Sequence, residues 1–406
     1  MVPSRLAPFF IWAFTWILVC VPAIALAQPF GASLDFEIGR NLFERNWVSA
    51  PSSASANDGL GPLFDAVSCS NCHVPPSAPI VEPYVTPPGM VIRLGNANGT
   101  GDLVYGYQLQ TRGLQMQMVE GLPDISFSEA GGLRQTDLTL HRLGYGELAS
   151  DTKAGLRRPL RIEGVGLLAR VPEAEILSRV VEEETQEGIS GRASWVAGAN
   201  GESRLGRFGW RASQPDLAGQ TEMAFLRDLG LSTSGQATAW GECTETQIAC
   251  REAPHGAAPG EVEISNEIRD FIVGFLEALP APNLAVQNAE GERLFTELGC
   301  SACHATLHLE GGAEVRAFTD LLLHDMGAGL NDGIREDAAA PGEWRTAPLW
   351  GIGATLRLGG LLHDGRARDV EEAIMWHGGE AAEAQSRFAA LTRNEKTALA
   401  DYVSGL

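Results

Sequence analysis

Two short runs share one spacing, Cys69-Ser70-Asn71-Cys72-His73 and Cys300-Ser301-Ala302-Cys303-His304. No other feature constrains the chain as much. Cys-x-x-Cys alone serves a redox dithiol or half of a zinc site. A histidine directly after the second cysteine, present in both copies, is instead the attachment signature of c-type haem. Two thiols form thioethers to the porphyrin, and the adjacent imidazole is placed to become the proximal iron ligand. The spacing therefore predicts two covalently bound c-type haems, held by Cys69, Cys72, His73, Cys300, Cys303 and His304.

The surroundings of the two runs look alike. Gly39-Arg-Asn-Leu-Phe43 leads toward the first and Gly291-Glu-Arg-Leu-Phe295 into the second, each read as a short helix; Ala50 to Gly61 is an insertion before the first. Helical spacing recurs at Ile268, Phe271, Ile272, Phe275, Leu276 and Leu279, ended by Pro280, and again over Thr392 to Leu406. Each is the closing helix expected of a small cytochrome c unit. The expected fold is mainly α with loop-rich and short β insertions, in two cytochrome c-like haem lobes. The expected boundaries are 28–282 for an N-terminal lobe with a large insertion and 283–406 for the C-terminal lobe, joined at Pro280-Ala281-Pro282.

Residues 1–27 read as a signal peptide. Arg5 supplies the positive start, Phe9 to Ala25 the apolar stretch and Ala25-Leu26-Ala27 the small-residue cleavage site. An uncleaved anchor is the competing reading, because the apolar run approaches the ~18 residues of a spanning helix. No later run is long and apolar enough to span, so the expectation is a periplasmic or secreted protein with no membrane span after cleavage. Cleavage would remove Cys20 and leave Cys243 and Cys250 outside the haem runs, with six residues between them; a disulfide is the preferred reading. It would also take the net charge from −21 to −22, since Arg5 goes and no acid does. Such a balance excludes a nucleic-acid partner, which needs clustered Lys and Arg, and suits a small basic redox protein, such as a cytochrome c, as electron donor. An apolar share of 44% excludes intrinsic disorder.

The stretch from about 90 to 260 mixes short apolar runs with glycine-rich turns. Leu103 to Leu109 and Leu114 to Val119 are predicted strands, and Glu173 to Glu184 a predicted helix; calcium at Glu182-Glu183-Glu184 is a minor alternative to a solvated face.

Further segments carry a resemblance. Leu205-Gly-Arg-Phe-Gly-Trp210, Asp320-Leu-Leu-Leu-His-Asp-Met-Gly327, Glu343-Trp-Arg-Thr-Ala-Pro-Leu-Trp-Gly351 and His363-Asp-Gly-Arg-Ala-Arg368 through Trp376-His377-Gly-Gly-Glu380, with the two haem runs, closely resemble the di-haem oxidoreductase (putative peroxidase) family, also labelled thiol oxidoreductase. That family is distantly similar to bacterial di-haem cytochrome c peroxidases. The resemblance covers nearly the whole chain after the leader. In two places the family pattern is altered: Leu167-Leu-Ala-Arg-Val-Pro172 carries Ala169 in place of an acid, and Glu184-Thr-Gln-Glu-Gly188 stands where an acidic, glycine-rich turn is usual.

The resemblance implies an exported di-haem oxidoreductase. Electrons would pass through the C-terminal haem to a peroxidase-like N-terminal haem that reduces hydrogen peroxide or another small oxidant. His377 falls where di-haem peroxidases carry a Met or Tyr, and is the expected distal ligand of the second haem iron, with Met375 behind it. His363 and His324 lie in the family motifs, where structural hydrogen bonding is the expected role, and Met326 is a weaker ligand candidate. For the first haem, His141, Met116 and Met118 are the candidate distal ligands. Should that position stay open, peroxide cleavage needs an acid–base group nearby: Glu120, with Glu129 and Glu147 behind it. Trp210 is a candidate step on the electron path. The alternatives are a non-catalytic di-haem electron-transfer protein, a redox partner in iron uptake, or a protein-modifying di-haem enzyme.

Overall fold

A computed structural model describes residues 1, 34–53, 56–73, 89–181, 188–198, 200–284 and 288–406. The predicted leader beyond Met1, the acidic run Glu182–Glu184 and most of the turn ending at Gly188 lie outside the described residues. The helices that position the site are α1 (Leu34–Glu44), α2 (Leu217–Ala224), α3 (Asn266–Ala278), α4 (Ala289–Glu297), α5 (Val370–Met375) and α6 (Arg393–Ser404).

The similarity of the two lead segments is physical. Gly39 of α1 lies so close to α3 that a Cβ there would sit 2.1 Å from the Phe271 carbonyl oxygen. Gly291 of α4 meets α6 in the same way, 2.4 Å from the Ala398 carbonyl oxygen. Only glycine permits either approach. Four residues after each glycine, a phenylalanine packs on both the closing helix and the haem-run histidine. Phe43 lies 5.3 Å from Phe275 and 6.2 Å from His73, and Phe295 lies 5.6 Å from Tyr402 and 6.4 Å from His304. Side-chain caps fix the helix starts: Ser265 accepts from Ile268 N, Asn288 from Gly291 N, and Thr392 with Glu395 closes a capping box.

One apolar cluster surrounds α1 and α3, and another α4 and α6. The first also takes in Leu307, Val315, Leu322 and Trp350, so packing crosses the expected boundary at residue 282.

The middle of the chain is richer in strands than expected, which makes the fold a mixture of helices and short strands rather than mainly α. Strand β1 (Val91–Gly95) is the centre of a three-stranded antiparallel sheet, between β2 (Gln108–Leu109) and the strand Lys153–Arg157, with Val91 opposite Arg157. Strands β3 (Leu122–Ala130) and β4 (Leu133–His141) form a long hairpin turning at Gly131-Gly132, both at positive φ. Its tip reaches the C-terminal segment. There Arg134 donates to the Gly365 and Arg366 carbonyls at 2.6 Å, and Thr136 to Asp364 at 2.7 Å.

Three predicted elements are shorter than expected. In Leu103 to Leu109 only Gln108–Leu109 is strand, because the Asp102 carboxylate accepts from Val104 N and Tyr105 N and folds 102–106 into a turn. Leu114 to Val119 is not strand: Gln117 N bonds back to the Leu114 carbonyl, with Met116 at φ 78° between them. The helix from Glu173 stops at Leu177, and Val181 N then bonds to the Ser190 and Gly191 carbonyls. Cys243 and Cys250 are disulfide-bonded. No helix among the described residues is long and apolar enough to cross a membrane.

Candidate functional site

Both Cys-x-x-Cys-His runs open onto one continuous cavity of about 480 Å³, within the range of cofactor sites. Cys69, Cys72 and His73 line one end, and Cys300, Cys303 and His304 the other. The thiols are enclosed, and burial pushes Cys69 up to about 12 and Cys300 up to about 11. Buried thiols of this kind are poor nucleophiles as they stand.

Three histidines on the wall are oriented in the same manner. His73 Nδ1 donates to the Leu160 carbonyl at 3.0 Å, His304 Nδ1 to the Phe318 carbonyl at 2.9 Å, and His377 Nδ1 to the Ala373 carbonyl at 2.7 Å. A carbonyl accepts only from N–H, so in each ring the lone pair is left on Nε2, the arrangement of a metal-ligating imidazole. Burial holds all three neutral by lowering their pKa, that of His304 to about 4. His377, just past the end of α5, faces His304 with 6.5 Å between ring centres. Met375 does not line the cavity; its carbonyl accepts from Gln385.

The first end differs: among the described residues the ring contact of His73 is with Phe43 at 6.2 Å, and no imidazole lies opposite it at the distance that separates His304 from His377. His141 is exposed at the end of β4, Met116 is 95% and Met118 57% exposed, and none of them borders the cavity. Met223 on α2 is the thioether on the cavity wall that sequence reasoning missed; it lies in no motif and has no distinctive spacing. Glu120 does not reach the cavity either. It is 1% exposed and accepts from Gln110 N at 2.5 Å and from Gln247, within the disulfide loop, at 2.6 Å. Glu129 and Glu147 are exposed.

An aromatic group also lines the cavity. His363 stacks on Trp344 at 3.8 Å, and Trp210 meets Trp344 edge-on at 6.3 Å; all three border the cavity. The Arg211 guanidinium lies 3.5 Å over the Trp344 ring and pairs with Asp332 at 2.9 Å, while Arg157 pairs with Asp332 and Glu336. His324 lies between two carboxylates, Nε2 to Asp320 at 2.9 Å and Nδ1 to Glu380 at 2.8 Å, with Nδ1 also 3.7 Å from Cys303 Sγ. Burial disfavours its charge, but bonds to Asp320, Cys303 and Glu380 override that and push it up to about 12. Both ring nitrogens of His324 are thus taken up by carboxylates.

Residues 141–406 match the family model described as di-haem oxidoreductase, putative peroxidase. The chain belongs to that family. No curated protein matches it. Among solved structures, hydrazine synthase from Kuenenia stuttgartiensis is similar at 18% identity and a TM-score of 0.26, over 42% of this chain and 64% of that one.

Membership in a di-haem family implies haem cofactors, and the cavity wall of this di-haem oxidoreductase suits them. Arg93 Nη1, Arg158 Nε and Nη1, and Arg161 Nε are buried without a hydrogen-bond partner, and all three side chains border the cavity. Arg161 is paired with Glu163 through Nη2, which leaves Arg93 and Arg158 without an ion pair among the described residues; a buried guanidinium so placed is costly, and burial takes Arg158 down to about 10 against the nearby charge of Asp364. Haem propionates are anions of the right kind to satisfy these donors. The opposed histidines fit an iron as well. Two metal–imidazole bonds of about 2.1 Å, with about 1.1 Å from each ring centre to its nitrogen, span roughly 6.4 Å, against the 6.5 Å found.

Proposed function

We propose that this di-haem oxidoreductase reduces hydrogen peroxide or a similar small oxidant at its first haem, with electrons entering through the second. The observation that carries this reading is the asymmetry of the one cavity: His304 and His377 face each other at 6.5 Å, whereas among the described residues His73 has Phe43, and no imidazole, as its ring contact. Cys69 and Cys72, and Cys300 and Cys303, hold the two haems as thioethers. A six-coordinate bis-histidine haem suits electron transfer, and an open one suits oxidant binding; the bound haem supplies the redox change, and the chain supplies the surroundings.

In this reading the chain forms two haem lobes, 28–282 and 283–406, after a leader over 1–27. Export to the periplasm or beyond follows from the leader and from c-type haem. The acidic surface, net −21, steers a basic one-electron donor such as a small cytochrome c. Trp210, Trp344 and His363, in mutual contact on the cavity wall, provide the electron path. His377 is the distal ligand of the second haem.

The non-catalytic reading draws on one observation, the Met223 thioether on the wall: methionine there would make the first haem six-coordinate too. A resting spectrum of purified protein separates the two. One high-spin and one low-spin haem, with rapid consumption of added peroxide by the half-reduced protein, is the expected result. Two low-spin haems that stay closed and unreactive after half-reduction would refute the peroxidase reading.

A further inference from the structure

Peroxide reduction at an open haem needs a group that can take a proton from one oxygen and give it to the other, and sequence reasoning assigned that task to Glu120, which the fold places off the cavity. Four carboxylates border the cavity among the described residues: Asp228, Glu336, Glu380 and Glu383. Three are committed elsewhere. Glu336 is held ionised by Arg157, Arg93 and Arg211, its pKa brought down to about 2 against the cost of burial. Glu380 is likewise held at about 2 by His324, and also takes bonds from Asp325 N and Ser190 N. Glu383 is exposed and paired with Arg387 at 3.2 Å.

Asp228 differs from these. It sits in a π-helical turn, Phe225–Leu229, that continues α2, a distortion frequent at functional sites. Its main-chain carbonyl accepts from Asp65 N and Ala66 N, which ties it to the segment leading into Cys69. The carboxylate accepts a single side-chain hydrogen bond, from Gln108 Nε2 at 2.9 Å, and the same nitrogen donates to Asp65 at 2.9 Å. Two carboxylates thus flank one amide. The charged groups around Asp228 are Asp65, Arg93, His73 and Arg227. Among the described residues no salt bridge to Asp228 forms: Arg227 pairs with Glu242 instead, and Arg93 Nη1 has no hydrogen-bond partner.

We propose, resting on the peroxidase reading above, that Asp228 is the acid–base group of the first haem chamber. One peroxide oxygen gives its proton to Asp228. Asp228 returns that proton to the other oxygen, which leaves as water as the O–O bond breaks. Two electrons from the one-electron donor protein and two protons from solvent convert the remaining oxygen to a second water. The requirement on Asp228 is a proton affinity above that of an ordinary carboxylate, and its place on the cavity wall beside Asp65, with one amide shared between the two, acts in that direction. Burial raises its pKa, only partly offset by Gln108 and Arg93, and burial takes Asp65 up to about 6. Like charges this close favour one shared proton.

The test uses full-length haem-loaded protein and the variants Asp228→Asn and Asp65→Asn. Asp228→Asn is expected to slow the peroxide step of the half-reduced protein by about 100- to 10,000-fold with haem content and resting spectrum unchanged. A rate within about threefold of wild type, in protein that loads both haems, overturns the proposal. Infrared spectra of the ferric protein, recorded across pH without peroxide, give the second readout: a protonated-carboxyl band that Asp228→Asn removes or shifts supports it, and a band set identical in both proteins overturns it. Should Asp228→Asn fail to fold, Asp65→Asn decides: loss of the neighbouring carboxyl moves the midpoint of the rising rate–pH curve to lower pH, and an unmoved or raised midpoint counts against Asp228. Wild-type protein inert to peroxide at every pH would refute the peroxidase reading itself, a result distinct from all of these.

Discussion

Replacing His377 by alanine separates the electron-collecting role of the second haem from its mere presence. The ring makes one hydrogen bond, Nδ1 to the Ala373 carbonyl at 2.7 Å, and faces His304 at 6.5 Å. Removing it costs the packing of a buried ring, about 2–3 kcal/mol, and about 1 kcal/mol for the bond. Together these lower the midpoint of thermal unfolding by several degrees in a chain of this size. Attachment is untouched, since Cys300, Cys303 and His304 remain, so two haems per chain are still expected by mass. The second haem should change from low spin to high spin, and Met in place of His377 should restore low spin at a higher potential, because His/Met ligation raises it. Electronic and electron-paramagnetic resonance spectra, with spectroelectrochemistry, read each of these changes. A low-spin second haem with unchanged potential in His377→Ala would refute the ligand reading, whatever the variant's stability.

Other consequences follow from the same geometry. Cys300→Ala with Cys303→Ala should halve the covalent haem count in intact-protein mass spectra, and a count unchanged would refute attachment there. Arg211→Met leaves Asp332 and Glu336 facing one guanidinium instead of two and removes a buried partner, so a loss of about 3–5 kcal/mol is expected in denaturant titrations. Acid should destabilise the fold through Glu336 and Glu380. Both have pKa values depressed to about 2, so their contribution is fully present above about pH 4.5 and is lost as pH falls toward 2. Unfolding midpoints between pH 7 and pH 2 report that loss, and a flat profile below pH 4.5 would contradict it. Reducing the Cys243–Cys250 bond opens a short loop worth about 2.5 kcal/mol in the chain-entropy account, and neither cysteine borders the cavity; the denaturant midpoint should fall while the haem spectrum holds.

What could be read from the residue order depended on how local the cause was. The haem runs, the glycine–phenylalanine leads and the capped helices are set by neighbours within a few residues, and they stand where periodicity placed them. The strands expected at 103–109 and 114–119 were lost to turn chemistry that apolar patterning does not register, an Asp102 side chain bonding its own backbone and Met116 at positive φ. The place of His377 on the cavity wall opposite His304 was legible because a motif fixes its distance from His363-Asp364. Asp228 was not, since what marks it is a neighbour at position 65 and a shared amide at position 108, brought together only by folding. The buried guanidinium atoms of Arg93, Arg158 and Arg161 were hidden for the same reason: arginine in a strand or loop looks solvated until the opposite wall is known.

That difference in legibility has a physical counterpart in the two chambers. The second is built largely from one stretch of chain, 289–406, which holds His304, His377, the group of Asp320, His324 and Glu380, and the closing helix α6. The first draws on residues as far apart as Phe43, Arg93, Asp228 and Ile272. A unit closed from within can hold a six-coordinate iron rigidly, which favours rapid electron transfer with little reorganisation. A chamber assembled from distant segments can instead leave one face without a ligand and bring a protonatable carboxyl to it. On the proposed function, a division of labour between collecting electrons and moving protons would follow from which chamber the chain builds locally and which it assembles by folding.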